Sequence, residues 1–221
     1  LEYSQDEYNN LLLCQFIDDT ASVFSMAQMQ PCMVDSMELW SDVRFFAPRP
    51  YGNSPVWIGY DPSRSRDSAS IVVLAPPKVE GGKHRVLETL ALRNIPFDVQ
   101  ANKIKALTKK YQVAHIGIDT TGIGLGVFDL VKKFFPAAKS IHYNPAVKTR
   151  LVLKAQSVIT NGRLEFDAGE KEIAAAFMTI RKTLTKGEKQ VTYESVRNEE
   201  TGHGDVAWAI MHALDNEPMQ G

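Results

Sequence analysis

Cysteine is scarce in this chain: among 221 residues there are two, Cys14 and Cys32. They fit neither the short paired spacings of a zinc site nor a disulfide framework, so a reducing, cytosolic compartment is the expected setting. Long apolar runs are missing as well. None approaches the roughly 20 residues of a membrane-spanning helix, and Glu2, Asp6 and Glu7 stand where a secretory signal would carry basic residues. The chain opens on Leu1-Glu2 instead of Met and is expected to be a piece of a longer protein. Nucleotide loops are absent too. Gly122, Gly124 and Gly126 follow an apolar run but miss the G-x-G-x-x-G spacing, and around Gly82-Lys83 a P-loop fails because Pro77 stands at the first glycine position and His84 follows the lysine. What is present is an ordinary globular composition, 44% hydrophobic and 23% charged, able to bury a core.

The net charge of −1 conceals an asymmetry. Residues 1–55 hold 8 acidic and 2 basic side chains, a net of −6, whereas residues 56–221 hold 18 and 23, a net of +5. A cationic larger segment suits a partner rich in phosphate. The same division marks organisation. Residues 1–55 combine short helical patterns with the Pro-rich passage Ala47–Pro55, and are expected to be a linker or arm from an upstream domain. Residues 56–216 read as one α/β domain and 217–221 as a tail.

Within that domain, Val56–Tyr60, Ser70–Ala75 and His84–Leu92 read as a three-stranded antiparallel meander. A helix over Asp98–Tyr111 follows, with Val99, Ile104, Leu107 and Tyr111 inward. Val113–Ile118 is a buried strand. A helix through Phe128–Phe134 is stopped by Pro136, Ser140–Tyr143 is a short strand, and Ala146–Ile159 is a helix closed by Asn161-Gly162. A short strand carrying Glu165 and Asp167 as edge charges, a helix over Gly169–Leu184, an edge strand over Lys189–Ser195 and a last helix over Asp205–Leu214 complete the pattern. A meander followed by strand-helix units is the order of an RNase H-like central mixed sheet flanked by helices.

Three aspartates sit at the edges of these apolar elements: Asp61 after VWIGY, Asp119 after HIGI, and Asp205 before VAWAIMHAL. Singly, each has a structural explanation as a turn acid or helix-start acid. Jointly they ask for more, because clustered carboxylates repel and an unneutralised buried charge is strongly disfavoured. Oxygen-only donors suit Mg²⁺ or Mn²⁺ over zinc, and a pair of such ions activates water and stabilises the leaving oxygen in phosphodiester cleavage. His203, two residues before Asp205, is a candidate proton shuttle or phosphate contact because its ordinary pKa lies near neutrality. Lys148, Arg150 and Lys154 are candidates for a DNA backbone, whereas Trp57, inside a strand, reads as core.

The segments VWIGYDPSRSRDSASIVVL, IGIDTTGIGLGVFDLV and HGDVAWAIMHALDN resemble the nuclease domain of tailed-bacteriophage terminase large subunits over about Val56–Asn216. That resemblance implies a two-metal endonuclease that cuts concatemeric viral DNA during packaging in the bacterial host cytoplasm. It also implies an upstream ATPase domain, a small terminase subunit and a portal or procapsid as partners. Asp61, Asp119 and Asp205 match the family's three acids in order, and Asp67 matches a further acid after the first turn, expected to brace that loop or touch a metal. Two alternatives stand beside this: a non-catalytic DNA-binding or docking module of the same fold, and a fragment of a sugar-kinase or actin-like ATPase, which would need a duplicated domain.

Overall fold

The computed structural model describes residues 22–62, 68–185, 190–196 and 204–218. The meander forms where the short apolar runs lie, the first two strands being apolar on both faces as a strand covered on both sides requires. Strands β2 (Pro55–Asp61), β3 (Ser68–Ala75) and β4 (His84–Arg93) pair antiparallel, Tyr60 opposite Ile71 and Val72 opposite Thr89. Helix α3 (Phe97–Lys110) then returns the chain to β5 (Gln112–Asp119), which pairs parallel with β2, and α4 (Gly124–Lys132) leads to β6 (Lys139–Ile141), parallel with β5. With β1 (Met33–Val34) and β7 (Leu164–Asp167), these strands make a seven-stranded mixed sheet in the order β1-β7-β4-β3-β2-β5-β6.

Side chains alternate across the sheet and each face has its own core. Val56, Ile58, Tyr60, Ile116 and Ile118 face α3 and α4, where Ile104, Leu107, Val127 and Val131 are buried. Trp57, Val72 and Leu74 face the opposite way, onto α5 (Pro145–Thr160), α6 (Lys171–Met178) and α7 (Asp205–Leu214). Helix α5 starts where its signals lie: Asn144 accepts the Val147 amide at 2.9 Å with Pro145 next, and Gly162 at φ +64° follows the end.

Residues 22–54, with the short helices α1 (Met26–Met29) and α2 (Ser36–Leu39), lie against this frame. Phe24, Met29 and Cys32 are fully buried in the α5–α6 core, and Met33 pairs with Phe166. Burial pushes the Cys32 thiol up to about 11, so it behaves as a small apolar side chain. Arg85 on β4 forks onto Asp42 at 2.6 and 2.9 Å and lies over the rings of Trp40 and Tyr51, fastening this segment to the sheet.

Several expectations are corrected. The helix expected over Gly169–Leu184 ends at Met178, and Ile180–Leu184 is β8, which pairs antiparallel with β9 (Val191–Ser195) in a separate hairpin. Beyond Met178 the sequence TIRKTLT keeps Ile180 and Leu184 at helical spacing from Phe177, but Ile180, Lys182 and Leu184 also alternate as a strand requires, and pairing with β9 decides for the strand. Val99 is 37% exposed; Gln100 takes the inward place, because its side chain accepts from the Tyr60 hydroxyl and donates to the Ile95 carbonyl. Glu165 and Asp167 are not edge charges: β7 lies between β1 and β4. Glu165 is buried, accepting from Trp40 Nε1 at 3.0 Å and Lys83 at 2.6 Å, while Asp167 accepts from the Ser36 amide and hydroxyl.

Candidate active site

The site is built by register. Tyr60 pairs with Ile118 across the parallel strands β2 and β5, so the next residues, Asp61 and Asp119, leave adjacent strands at the same level. Both lie two residues after a glycine, Gly59 and Gly117, which are themselves register partners. Alternation therefore puts glycines and acids on one face, the face covered by α7.

Those glycines are required by close approach. A Cβ on Gly59 would stand 1.8 Å from the Ala209 carbonyl oxygen, and one on Gly117 would stand 2.6 Å from that of His212. The α7 backbone thus rests directly on the two strands. Asp205 lies one turn before Ala209 and two before Ala213, on the stripe that meets Gly59. Its charge acts on Asp61. Burial first, then the charges of Asp205 and Asp119, push the Asp61 carboxyl well above the usual range, with Lys148 opposing. Asp119 is raised by burial, against the Thr121 hydrogen bonds, His142 and Lys148; the Thr121 amide donates to its Oδ1 at 2.7 Å.

A polar and aromatic wall stands beside the acids. The Tyr143 hydroxyl and His212 Nε2 are 2.6 Å apart, and His212 Nδ1 lies 3.0 Å from the Tyr60 carbonyl, to which it can donate. Burial lowers the His212 pKa to about 4, so its imidazole is neutral at ordinary pH. Tyr143 feels all three aspartates: burial first and then their charges raise its phenol well above the usual range. Its amide donates to the Thr121 hydroxyl, tying it to the loop after Asp119. Lys148 extends over the rings of Tyr143 and Trp208, 5.2 and 5.5 Å from their centroids.

The candidates thus separate. Asp61, Asp119 and Asp205 are brought within one another's electrostatic reach, and Lys148 joins them. Asp67 and His203 lie outside the described residues. Arg150 and Lys154 are turned elsewhere: Arg150 holds Asp215 at 3.1 and 3.2 Å, and buried Lys154 donates to the carbonyls of Asp215 and Glu217. The ammonium of Lys154 is thus turned inward, because the reversal after α7 offers it two carbonyls. Sequence reasoning passed over Tyr143, His212 and the glycine floor. The last had a signal, Gly59-Tyr60-Asp61 repeated as Gly117-Ile118-Asp119; the tyrosine and histidine, from distant segments, had none.

Among the described residues, no three side chains of His, Cys, Asp or Glu converge to hold an ion by themselves. Mg²⁺ does not require such a cage, since it keeps several waters and is commonly held by one or two carboxylates plus substrate phosphate. Buried, oxygen-only and mutually repelling acids fit that mode.

The terminase RNase H-like domain family model matches residues 58–217. A terminase ATPase subunit of Escherichia phage P2 is 53% identical over 218 residues, covering 99% of this chain and 37% of that protein. A probable terminase ATPase subunit of Haemophilus phage HP1 is 39% identical, with 98% and 36% coverage. The chain spans little more than a third of these relatives. Among solved structures, the large terminase nuclease from thermophilic phage G20c with bound magnesium superimposes with TM-score 0.68 at 17% identity, over 89% of this chain and 97% of that one. The HK97 bacteriophage large terminase gives 0.62 at 10% identity, over 88% and 43%. These two likenesses concern the fold; the match along the sequence concerns descent, and by it the chain belongs to the terminase RNase H-like domain family.

Proposed function

We propose that this domain is a divalent-metal-dependent endonuclease that cuts concatemeric viral double-stranded DNA during genome packaging. One observation carries the proposal: Asp61 and Asp119 end register-matched parallel strands, with Asp205 in electrostatic contact. Structural neighbours described as large terminase nucleases, one with bound magnesium, support the same chemistry. The partners proposed are a small terminase subunit, a portal or procapsid, and an ATPase domain in the remainder of the longer protein.

Asp61, Asp119 and Asp205 would hold two Mg²⁺ or Mn²⁺ ions, which when bound supply an activated water and stabilise the leaving oxygen. The rest is the work of this chain's own groups. The sheet fixes two carboxylates on rigid backbone, and α7 holds the third against them, so the site is organised before substrate arrives. Neutral His212 keeps the Tyr143 hydroxyl beside the acids, and the Thr121 amide holds one Asp119 oxygen in place. Fully ionised, the three acids repel duplex phosphates, and cations at the site reverse that sign.

Digestion of supercoiled plasmid in EDTA, Mg²⁺ and Mn²⁺ tests the proposal. Cutting is expected with metal alone, and Asp61→Ala or Asp119→Ala should lower it at least about 10²-fold, as removal of a principal electrostatic stabiliser does, with the melting transition retained. Activity of a folded Asp61→Ala protein near the parent's would sink the nuclease assignment. Absence of Mn²⁺ binding at millimolar concentration in titration calorimetry would favour a non-catalytic DNA-docking module.

A further inference from the structure

We propose that Lys148 is the residue that grips the scissile phosphate at the carboxylate site, an inference that rests on the nuclease function proposed above. Helix α5 presents three basic side chains, and two are committed elsewhere. Arg150 is spread across the carboxylate of Asp215, and Lys154 is buried against the carbonyls of Asp215 and Glu217. Lys148 takes the opposite course. It sits in the first turn, four residues after the Asn144 cap, and its ammonium lies over the rings of Tyr143 and Trp208.

That position is specific. Tyr143 is the side chain that senses all three aspartates, and Trp208 belongs to α7 three residues after Asp205, its indole N–H fixed by the Ser195 hydroxyl at 2.8 Å. The two rings hold the ammonium where its charge acts on both Asp61 and Asp119. Among the described residues no carboxylate lies within ion-pair distance of it, in contrast to Lys139, Arg150 and Lys154, which all converge on Asp215. Ring faces attract a cation but take no strong hydrogen bond from it, so its N–H donors remain available to an acceptor that arrives with substrate. Half-buried, the side chain has already lost part of its rotamer freedom, which lowers the entropic cost of the contact. A phosphodiester drawn to the acids by bound metal has further non-bridging oxygens, and Lys148 is the cation at hand to meet one.

Lys148→Met keeps the methylene stem against the rings and removes the charge; Lys148→Arg keeps a charge. Three measurements distinguish the role. First, anisotropy of a fluorescent duplex across a salt series in Ca²⁺, a divalent cation that neutralises the acids, should show the Met variant binding more weakly, its salt slope reduced by about one unit. Second, Mn²⁺-dependent plasmid cleavage should fall about 10²-fold in kcat, with the Arg variant recovering most of it. Third, calorimetric Mn²⁺ affinity should stay within about threefold, because the lysine is not a ligand. A Met variant that cuts within about threefold of the parent overturns the proposal, as does a tenfold fall in Mn²⁺ affinity sufficient to explain lost cutting. An unchanged salt slope also overturns it. If the parent cuts and Asp61→Ala does not, those failures belong to Lys148 alone; if the parent never cuts with any metal, the nuclease function itself has failed.

Discussion

Replacing Gly59 by alanine tests the geometry on which the site depends. The added Cβ would meet the Ala209 carbonyl oxygen at 1.8 Å, its carbonyl carbon at 2.8 Å and the Ala213 amide nitrogen at 2.7 Å. All three are backbone atoms, so no side chain can swing aside. Ordinary contact begins near 3.4 Å, and α7 would have to lift by roughly 1.5 Å, a gap that forfeits more than half of each dispersion contact on its underside. Eight consecutive residues of that helix, Ala207–Leu214, are buried. Overpacking usually costs about 1–3 kcal/mol, and rigid backbone on both sides puts this substitution above that, at about 3–5 kcal/mol. A domain of this size loses roughly 2–4 °C of Tm per kcal/mol, so a fall of roughly 6–20 °C is expected in circular-dichroism melts. Gly52→Ala is the comparison. It has φ +57° but nothing within 4 Å of the new Cβ, so only the left-handed conformation is penalised, at about 1–2 kcal/mol. A Gly59→Ala protein melting no lower than Gly52→Ala would refute the claim that α7 rests on the strand backbone.

Two further substitutions probe the charges at opposite ends of α7. The Asp215 side chain is 1% exposed and faces Lys139, Arg150 and Lys154 at 2.7, 3.1 and 3.9 Å. Although burial raises its carboxyl, hydrogen bonding and charge from Lys139 and the other cations outweigh this and lower it. Its contribution is therefore present above the ordinary aspartate pKa and lost as pH falls through the lowered folded value. Asp215→Asn is expected to destabilise by about 3–5 kcal/mol at neutral pH in urea titrations, with the difference from the parent shrinking in acid; an equal difference at all pH values would exclude the charge as its cause. Asp61 has the opposite sign. Its folded carboxyl is raised, so the folded state binds the proton more tightly than the unfolded one, and stability falls as pH rises from the ordinary aspartate range through the raised value. Asp61→Asn should accordingly raise the Tm of the metal-free protein at neutral pH, by the roughly 2–4 °C that about 1 kcal/mol gives a domain of this size, while abolishing cleavage. A lower Tm would contradict the repulsion inferred among the acids.

Much of the fold could be read from the chain because its signals are local. The short continuous apolar runs VWIGYD and SIVVLA, the Asn144-Pro145 start and the Gly162 stop depend on neighbours a few residues away, and these elements formed at the expected positions. Errors arose where a distant partner decided. The run after Met178 became a strand because β9 was there to pair with it. Glu165 entered the interior because Trp40 and Lys83 satisfy it. Lys154 turned inward because the chain end after α7 offers two carbonyls. The acids followed the same division: Asp61 and Asp119 were visible as strand ends, but Tyr143 and His212 meet only through tertiary packing, across 69 residues of sequence.

The repeat of glycine, apolar residue, aspartate on two adjacent strands couples stability to chemistry more tightly than a set of acids alone would. The glycines lower α7 onto the sheet, which closes the larger core, and the same descent carries Asp205 to the strand ends, where it raises the repulsion felt by Asp61. Better packing of the helix therefore means worse electrostatics among the metal-free acids. A surface carboxylate set would relax by moving apart, but here rigid backbone on three sides prevents it, so the strain is held until a cation or proton relieves it. Relief of that repulsion is part of the metal's binding free energy, so divalent metal should stabilise the protein through a Kd that tightens as the acids ionise. Its effect on Tm should be larger at pH 8 than at pH 5, where protonation already relieves part of that repulsion.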